Sequence, residues 1–162
     1  MKLEFIMLVG IPCSGKSTLV KSYSFLNAVV LSTDSYIDAK AKEENATYSA
    51  VFKKYIKEAN KDLEVQLKRA IEEGRHIIWD QTNVNADSRR SKLSKIPETY
   101  RKTVVMVECD LEIALARNKT RGEQTGKNIP EEVVKSFYDV MQPPTKSEGW
   151  DVVIMTVEES SI

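Results

Sequence analysis

GIPCSGKS, Gly10 to Ser17, sits between an apolar run, Phe5 to Val9, and a helix-like pattern that begins at Ser14. It matches G-x-x-x-x-G-K-S/T. Glycines at this spacing let the backbone turn tightly, so that its N–H groups converge on a phosphate at the positive end of the following helix. Gly10, Pro12, Cys13, Ser14 and Gly15 are expected to form the cradle. Lys16 reaches the β- and γ-phosphates, Ser17 offers a hydroxyl to Mg²⁺, and Thr18 lies in the same turn. An apolar strand before the loop and a helix after it argue against a chance match.

Outward from this loop, strand and helix alternate. Lys2 to Val9 reads as a strand buried on both faces. Ser14 to Phe25 reads as helix and Ala28 to Ser32 as a short strand. Tyr48 to Glu73 is the longest helix, with Phe52, Ile56, Ala59, Leu63, Leu67 and Ala70 near a 3.6-residue period. Arg75 to Trp79 is a third strand, ending at Asp80. Ala86 to Ile96 is helical, Thr103 to Glu108 a fourth strand, and Asp110 caps a helix to about Asn118. Pro130 opens another helix, and Asp151 to Thr156 is a fifth strand. The pattern predicts an α/β fold with a parallel sheet of five strands and helices on both faces. Residues 1–162 read as a single domain.

Composition narrows the functional classes. The chain carries 24 basic and 24 acidic side chains, a net charge of zero, so contact with nucleic acid must be local. Its apolar runs are too short to span a membrane, and no secretory signal opens the sequence. Cys13 and Cys109 form neither a disulfide framework nor a zinc spacing. A reducing, cytoplasmic setting is expected, the host cytoplasm if the chain is phage-encoded.

Ligands of parallel sheets bind at the carboxyl ends of the strands, and the second and third strands end in acids. Asp34, in TDSY, can take a proton from an attacking hydroxyl; the bland alternative is a helix cap. Asp80, in DQTN, is placed to order Mg²⁺ through water. Gln81, Thr82 and Asn83 supply donors and acceptors to a substrate, and Arg89, Arg90 and Lys92 follow as candidates for its phosphates. His76 is expected to serve the strand only. The stretch ARNKTRGEQTGKNIP has the form of a mobile lid over residues 117–130, with Arg117 and Arg121 facing the transferring phosphoryl group. A GTPase would carry N-K-x-D; here Asn118-Lys119-Thr120-Arg121 lacks the acid, so ATP is the expected nucleotide, with GTP possible.

Taken in order, the phosphate loop, TDSY, DQTN and RNKTR resemble the phage T4-type polynucleotide 5′-kinase family over Lys2 to about Thr156. The resemblance implies a P-loop kinase that moves the γ-phosphate of ATP, with Mg²⁺, to the 5′-hydroxyl of RNA or DNA. It implies Asp34 as general base, Lys16 and Ser17 as ATP and Mg²⁺ ligands, Arg121 as the lid arginine of the transition state and Arg117 as a second. Two positions depart from that pattern. Ile37 stands where the family often has an arginine, and Gln81 where the phage type has an acid. No D-x-D-G-T motif is found, so no companion 3′-phosphatase is expected. A small-molecule or nucleotide kinase on the same scaffold is the alternative. A non-catalytic nucleotide-binding module is a third, which Asp34 together with Arg121 argues against.

Overall fold

The computed structural model describes residues 2–156. Five strands, β1 (Leu3–Val9), β2 (Val29–Leu31), β3 (Ile77–Asp80), β4 (Tyr100–Glu108) and β5 (Asp151–Thr156), form one sheet in the order β2-β3-β1-β4-β5. Every pairing is parallel. Six helices connect them: α1 (Lys16–Ser22), α2 (Thr33–Glu43), α3 (Tyr48–Glu72), α4 (Ala86–Leu93), α5 (Leu111–Thr125) and α6 (Glu131–Val140).

The continuous apolar run of β1 is explained by burial on both faces. Phe5, Met7 and Val9 join Trp79 and Val104 in a core covered by Leu63, Leu67 and Ala70 of α3. Ile6 and Leu8 point the other way, with Ile78 and Val105, against Leu19 and Val20 of α1. Phe5 meets Trp79 edge to face, ring centroids 6.4 Å apart, the arrangement that aromatic quadrupoles prefer. A smaller core joins α2 to α3 through Ile37, Ala41, Tyr48, Val51 and Ala59. Another joins α5 to α6 through Ala114 and Val134, under Ile11.

Several boundaries differ from the sequence reading. The helix after the phosphate loop stops at Ser22, and Ser24–Leu26 form a separate 3-10 turn. β4 begins at Tyr100 because Leu3 and Glu4 of β1 pair with Tyr100 and Arg101, a stretch too polar to read as buried strand. α5 runs to Thr125 rather than Asn118, straight through Gly122. Gly122 is not a hinge: a Cβ there would lie 2.8 Å from the Cβ of Asn128. It is a packing glycine that lets the returning segment lie against the helix. His76 accepts the N–H of Glu4 on Nδ1 at 2.9 Å, tying the entry of β3 to β1.

Candidate active site

The site lies where the chain leaves β1, β2 and β3. β3 pairs with β1 on one side and β2 on the other, so the three loops meet along one edge. The phosphate loop is tied to the loop after β3 by two hydrogen bonds. Gly10 N–H donates to the Thr82 carbonyl at 3.0 Å, and Asn83 Nδ2 donates to the Leu8 carbonyl at 2.8 Å.

Within the phosphate loop, Cys13 and Gly15 both have positive φ, 64° and 108°. Left-handed residues here turn successive N–H groups toward one concavity, the geometry that suits an anion. Gly10 is required for space, since a Cβ would sit 2.5 Å from Ser14 Oγ. Pro12 and Ser14 are buried in the loop. The Lys16 ammonium folds back onto the Gly10 and Ile11 carbonyls at 2.8 and 2.9 Å. Enclosure pushes its pKa down to about 8, opposed by the Asp80 and Asp34 carboxylates. Burial pushes the Cys13 thiol up, although Arg121, Lys16, Lys127 and Arg117 all act on it in the other direction. That convergence of cations on one loop is the electrostatic footprint of a polyphosphate seat.

A cavity of about 550 Å³ adjoins the loop. Gly15, Ser17, Thr18, Arg117 and Arg121 line it, with Val107 and Met155 as an apolar wall. Phosphates and a flat base both find suitable chemistry there. Ser14 Oγ and Arg121 Nη2 are buried with no partner among the described residues. Orphaned donors of this kind beside a phosphate loop fit a nucleotide. Ser17, in the first turn of α1, is the residue that would hold Mg²⁺. Asp80, whose carboxyl burial pushes up while the Lys16 ammonium pulls it down, lies at the end of β3. Few protein ligands suffice, because Mg²⁺ keeps its waters and takes the rest of its shell from phosphates.

Asp34 is not the helix cap. Ser32 caps α2, its hydroxyl accepting the Asp34 N–H at 3.2 Å. The Asp34 carboxylate is thereby released to the cleft, half-exposed. Tyr48 OH donates to its Oδ1 at 2.6 Å, and Lys127 Nζ lies 3.2 Å from its Oδ2. Lys127 also sits 3.8 Å from Asp38 and 4.2 Å from the centre of the Tyr48 ring. The Tyr48 phenol is pushed well above its ordinary pKa by burial and by the neighbouring Asp34 charge, so it stays a donor.

The lid is docked. Ser49 Oγ donates to the Asn128 carbonyl at 2.9 Å and accepts the Asn128 N–H at 3.2 Å. Asn118, the would-be guanine residue, is buried and clamps Ile129, donating to its carbonyl at 2.6 Å and accepting its N–H at 3.1 Å. Arg117 Nη1 reaches the Cys13 carbonyl at 3.3 Å, and Arg121 Nε the Lys127 carbonyl at 3.2 Å. Both arginines also line the cavity beside Cys13, Gly15 and Ser17 of the phosphate loop.

The acceptor residues divide. Gln81 stays half-buried at the cleft, its Nε2 3.4 Å from Thr33 Oγ1. Thr82 contributes its carbonyl to the phosphate loop. Asn83, expected to face a substrate, is buried with its amide turned into the sheet. Arg89, expected to meet acceptor phosphates, is also fully buried. It donates to Glu148 at 2.8 and 3.2 Å and to the Asn83 carbonyl at 2.8 Å. A helix of mostly polar sequence hides an arginine here because Glu148, 59 residues later, supplies the counter-charge. Arg90 is exposed and pairs with Asp87. It borders a groove with Lys2, Tyr100 and Asp151, at the opposite end of the strands from the site. Lys92 is half-buried, bonded to Gln81 and Asn83. Ile37 is fully buried and does not reach the cleft. Lys92, expected to meet acceptor phosphates, is instead spent on Gln81 and Asn83, whereas Tyr48 and Lys127 were not singled out as site residues in the sequence. Tyr48 reads as the start of a long helix, and only the fold brings Lys127 back onto Asp34.

Comparison with known families matches the AAA domain of family AAA_33 over residues 5–144. The chain belongs to that family. A relative with a named activity, the L-seryl-tRNA(Sec) kinase of Methanococcus maripaludis, is 28% identical over 160 residues, 94% of this chain and 58% of its own. The chain thus spans little more than half of that relative. Among solved structures, a kinase from Chloroflexus aurantiacus, described as putative, superposes with a TM-score of 0.77 at 14% identity, covering 99% of this chain and 91% of that one. A chain of the Pnkp1/Rnl/Hen1 RNA repair complex superposes with a TM-score of 0.70 at 23% identity, covering 86% of this chain and 44% of its own. These likenesses establish the P-loop kinase fold, and the family is one of nucleotide-binding domains. No helix among the described residues is long and apolar enough to cross a membrane.

Proposed function

We propose that this chain is an ATP-dependent kinase acting on the 5′-hydroxyl end of RNA or DNA. The observation that carries the reading is the Asp34 carboxylate. It is freed from capping, held by Tyr48 and Lys127, and aimed into the cleft that the phosphate loop shares. A carboxylate so held is suited to accept a proton from a hydroxyl. The acceptor oxygen attacks the γ-phosphorus in line. A new O–P bond forms, the bond to the β-phosphate oxygen breaks, ADP leaves with the electron pair, and the hydroxyl proton passes to Asp34. Lys16 and Arg121 meet the charge that spreads over the transferring group. Bound Mg²⁺, held by Ser17 and through water by Asp80, would neutralise the phosphates.

One observation favours a second reading. The identity to the seryl-tRNA(Sec) kinase extends over nearly the whole chain, so the hydroxyl of a serine carried on tRNA is a competing acceptor. Incubation with γ-labelled ATP and, separately, 5′-hydroxyl RNA, 5′-hydroxyl DNA, seryl-tRNA and a panel of small alcohols decides between them. Label on a nucleic-acid 5′ end is expected, and no label once Lys16 is replaced by Ala. Label on seryl-tRNA alone, or on a small alcohol alone, overturns the proposal.

A further inference from the structure

Both oxygens of the Asp34 carboxylate are taken. Tyr48 OH donates to Oδ1 at 2.6 Å, and the Lys127 ammonium lies 3.2 Å from Oδ2. The phenol keeps its proton, so Oδ1 stays engaged. Oδ2 is then the atom left to receive the proton of an acceptor, and Lys127 stands on it. The backbone of Lys127 is fixed. Its carbonyl accepts Arg121 Nε at 3.2 Å, and its N–H donates to Thr125 Oγ1 at 3.2 Å. The ammonium, however, sits on a flexible four-carbon stem, and a second carboxylate is within its reach. Asp38 Oδ2 lies 3.8 Å away, one turn along α2 on the same face as Asp34. The Tyr48 ring, its centre 4.2 Å from Nζ, supports the ammonium through its π face.

A base open to solvent beside a bound triphosphate invites hydrolysis. The Asp34 side chain is 52% exposed, so water reaches it. A water on Oδ2 would attack the γ-phosphorus as an alcohol does. Its oxygen bonds to phosphorus, the bond to the β-phosphate oxygen breaks, ADP leaves with the electron pair, the proton passes to Asp34 and free phosphate results. Lys127, only 16% exposed, closes that route by holding the oxygen the water needs. An acceptor differs from water in having other contacts with the protein. Their binding energy offsets the broken ion pair; a single water brings none.

We propose that Lys127 is the residue through which the site refuses water and admits an acceptor. Without an acceptor its ammonium keeps Asp34 Oδ2; a bound acceptor takes that oxygen and displaces the ammonium onto Asp38. This role rests on the reading of Asp34 as the base and goes beyond it, since it holds for any alcohol the site accepts. Lys127 is a specificity residue, and Asp38 is a positioning residue that acts through it. A lysine that only docked the lid would behave differently. Ser49 and Asn128 already make that contact, and loosening it would slow every reaction of the site rather than speed one.

The test measures ADP release from ATP without any acceptor, for the wild type, Lys127→Met, Lys127→Arg and the double variant Lys127→Met with Asp34→Asn. Lys127→Met should raise the release by about three- to tenfold, between the worth of an exposed ion pair and that of a hydrogen bond to a charged group. Lys127→Arg restores the cation and should reverse most of that gain. The double variant should lose the gain, because water then has no base. Asp38→Asn takes away the place to which Lys127 is displaced. The KM for 5′-hydroxyl RNA should then rise by about three- to tenfold, with a smaller change in kcat. Melting curves show which variants are folded, and Asp38→Asn decides if Lys127→Met is not. A folded Lys127→Met variant that hydrolyses ATP no faster than the wild type overturns the inference. So does a gain that survives Asp34→Asn, or an Asp38→Asn variant with an unchanged acceptor KM. A gain in hydrolysis that depends on Asp34, with no label on any nucleic-acid 5′ end, upholds the guard and overturns the polynucleotide reading alone.

Discussion

At single side chains, the arrangement around Asp34 separates the proposed general base from a structural carboxylate. Ser32 takes over the cap, and the Asp34 side chain is left to Tyr48 and Lys127. Asp34→Asn should therefore leave the helix start intact and lower kcat by roughly 10²–10⁴, the usual worth of general-base help. The KM for ATP should hardly move, and the melting temperature should stay within a few degrees of the wild type. A variant that melts much earlier and keeps its rate would mean that the carboxylate serves the fold. The placement of Asp34 just past the end of β2 was legible from local signals: an apolar strand, an acid at its end, a phosphate loop upstream. The identity of the cap was not legible, since Ser32, Thr33 and Asp34 are all acceptable caps and only the backbone path chooses among them.

Among the elements, the proposed lid is residues 117–130, which lie against the start of α3. Sequence shows a basic stretch with two glycines, and its two glycines look alike. In the fold they do different work. Gly122 makes room for Asn128 inside a continuous helix. Gly126 ends that helix at φ 74°, where a Cβ would lie 2.7 Å from Thr47 Cγ2 at the start of α3. The docked lid thus depends on Gly126 twice, for its left-handed backbone and for its contact with α3. The two lid arginines were legible from their four-residue spacing, but Lys127 was not, because its partners Asp34 and Asp38 are some ninety residues away in sequence. Gly126→Ala should hold the lid off α3 and carry Lys127 away from Asp34. We expect kcat to fall by about tenfold or more, as small misplacements of positioning groups do, with faster proteolysis between residues 121 and 130. Unchanged kcat with unchanged proteolysis would show that the lid does not need this turn.

Across the whole molecule, five of the 24 basic side chains stand out: Lys16, Arg117, Arg121 and Lys127 around the phosphate loop, and Arg89 inside the fold. The parallel five-stranded sheet followed from alternating patterns, but its strand order and the burial of Arg89 did not, because a polar helix with an arginine reads as a solvated face until its distant acid is known. Arg89 joins α4, the acceptor loop and the turn before β5 through Glu148 and the Asn83 carbonyl. Glu148 in turn accepts the Thr145 N–H at 2.9 Å. Burial pushes the Glu148 carboxyl up, but Arg89 and the Thr145 N–H outweigh it, and the pKa lies below the ordinary carboxylate value. A carboxyl depressed in the folded state stabilises the fold above its unfolded pKa, and that stability is lost as the pH falls through the folded value. Glu148→Gln removes the charge and leaves Arg89 buried without its partner. At neutral pH this should cost roughly 3 kcal/mol, or about 6–12 °C in melting temperature for a chain of this size. On acidification the wild type should lose stability faster than the variant, so the two melting curves should converge as the pH falls below about 4.3, the pKa of an ordinary glutamate, toward the lower folded value. Melting temperatures of both proteins measured from pH 7 down to pH 3 give the comparison. A constant gap across that range would show that the Arg89–Glu148 charge pair does not hold the acceptor loop to the last strand.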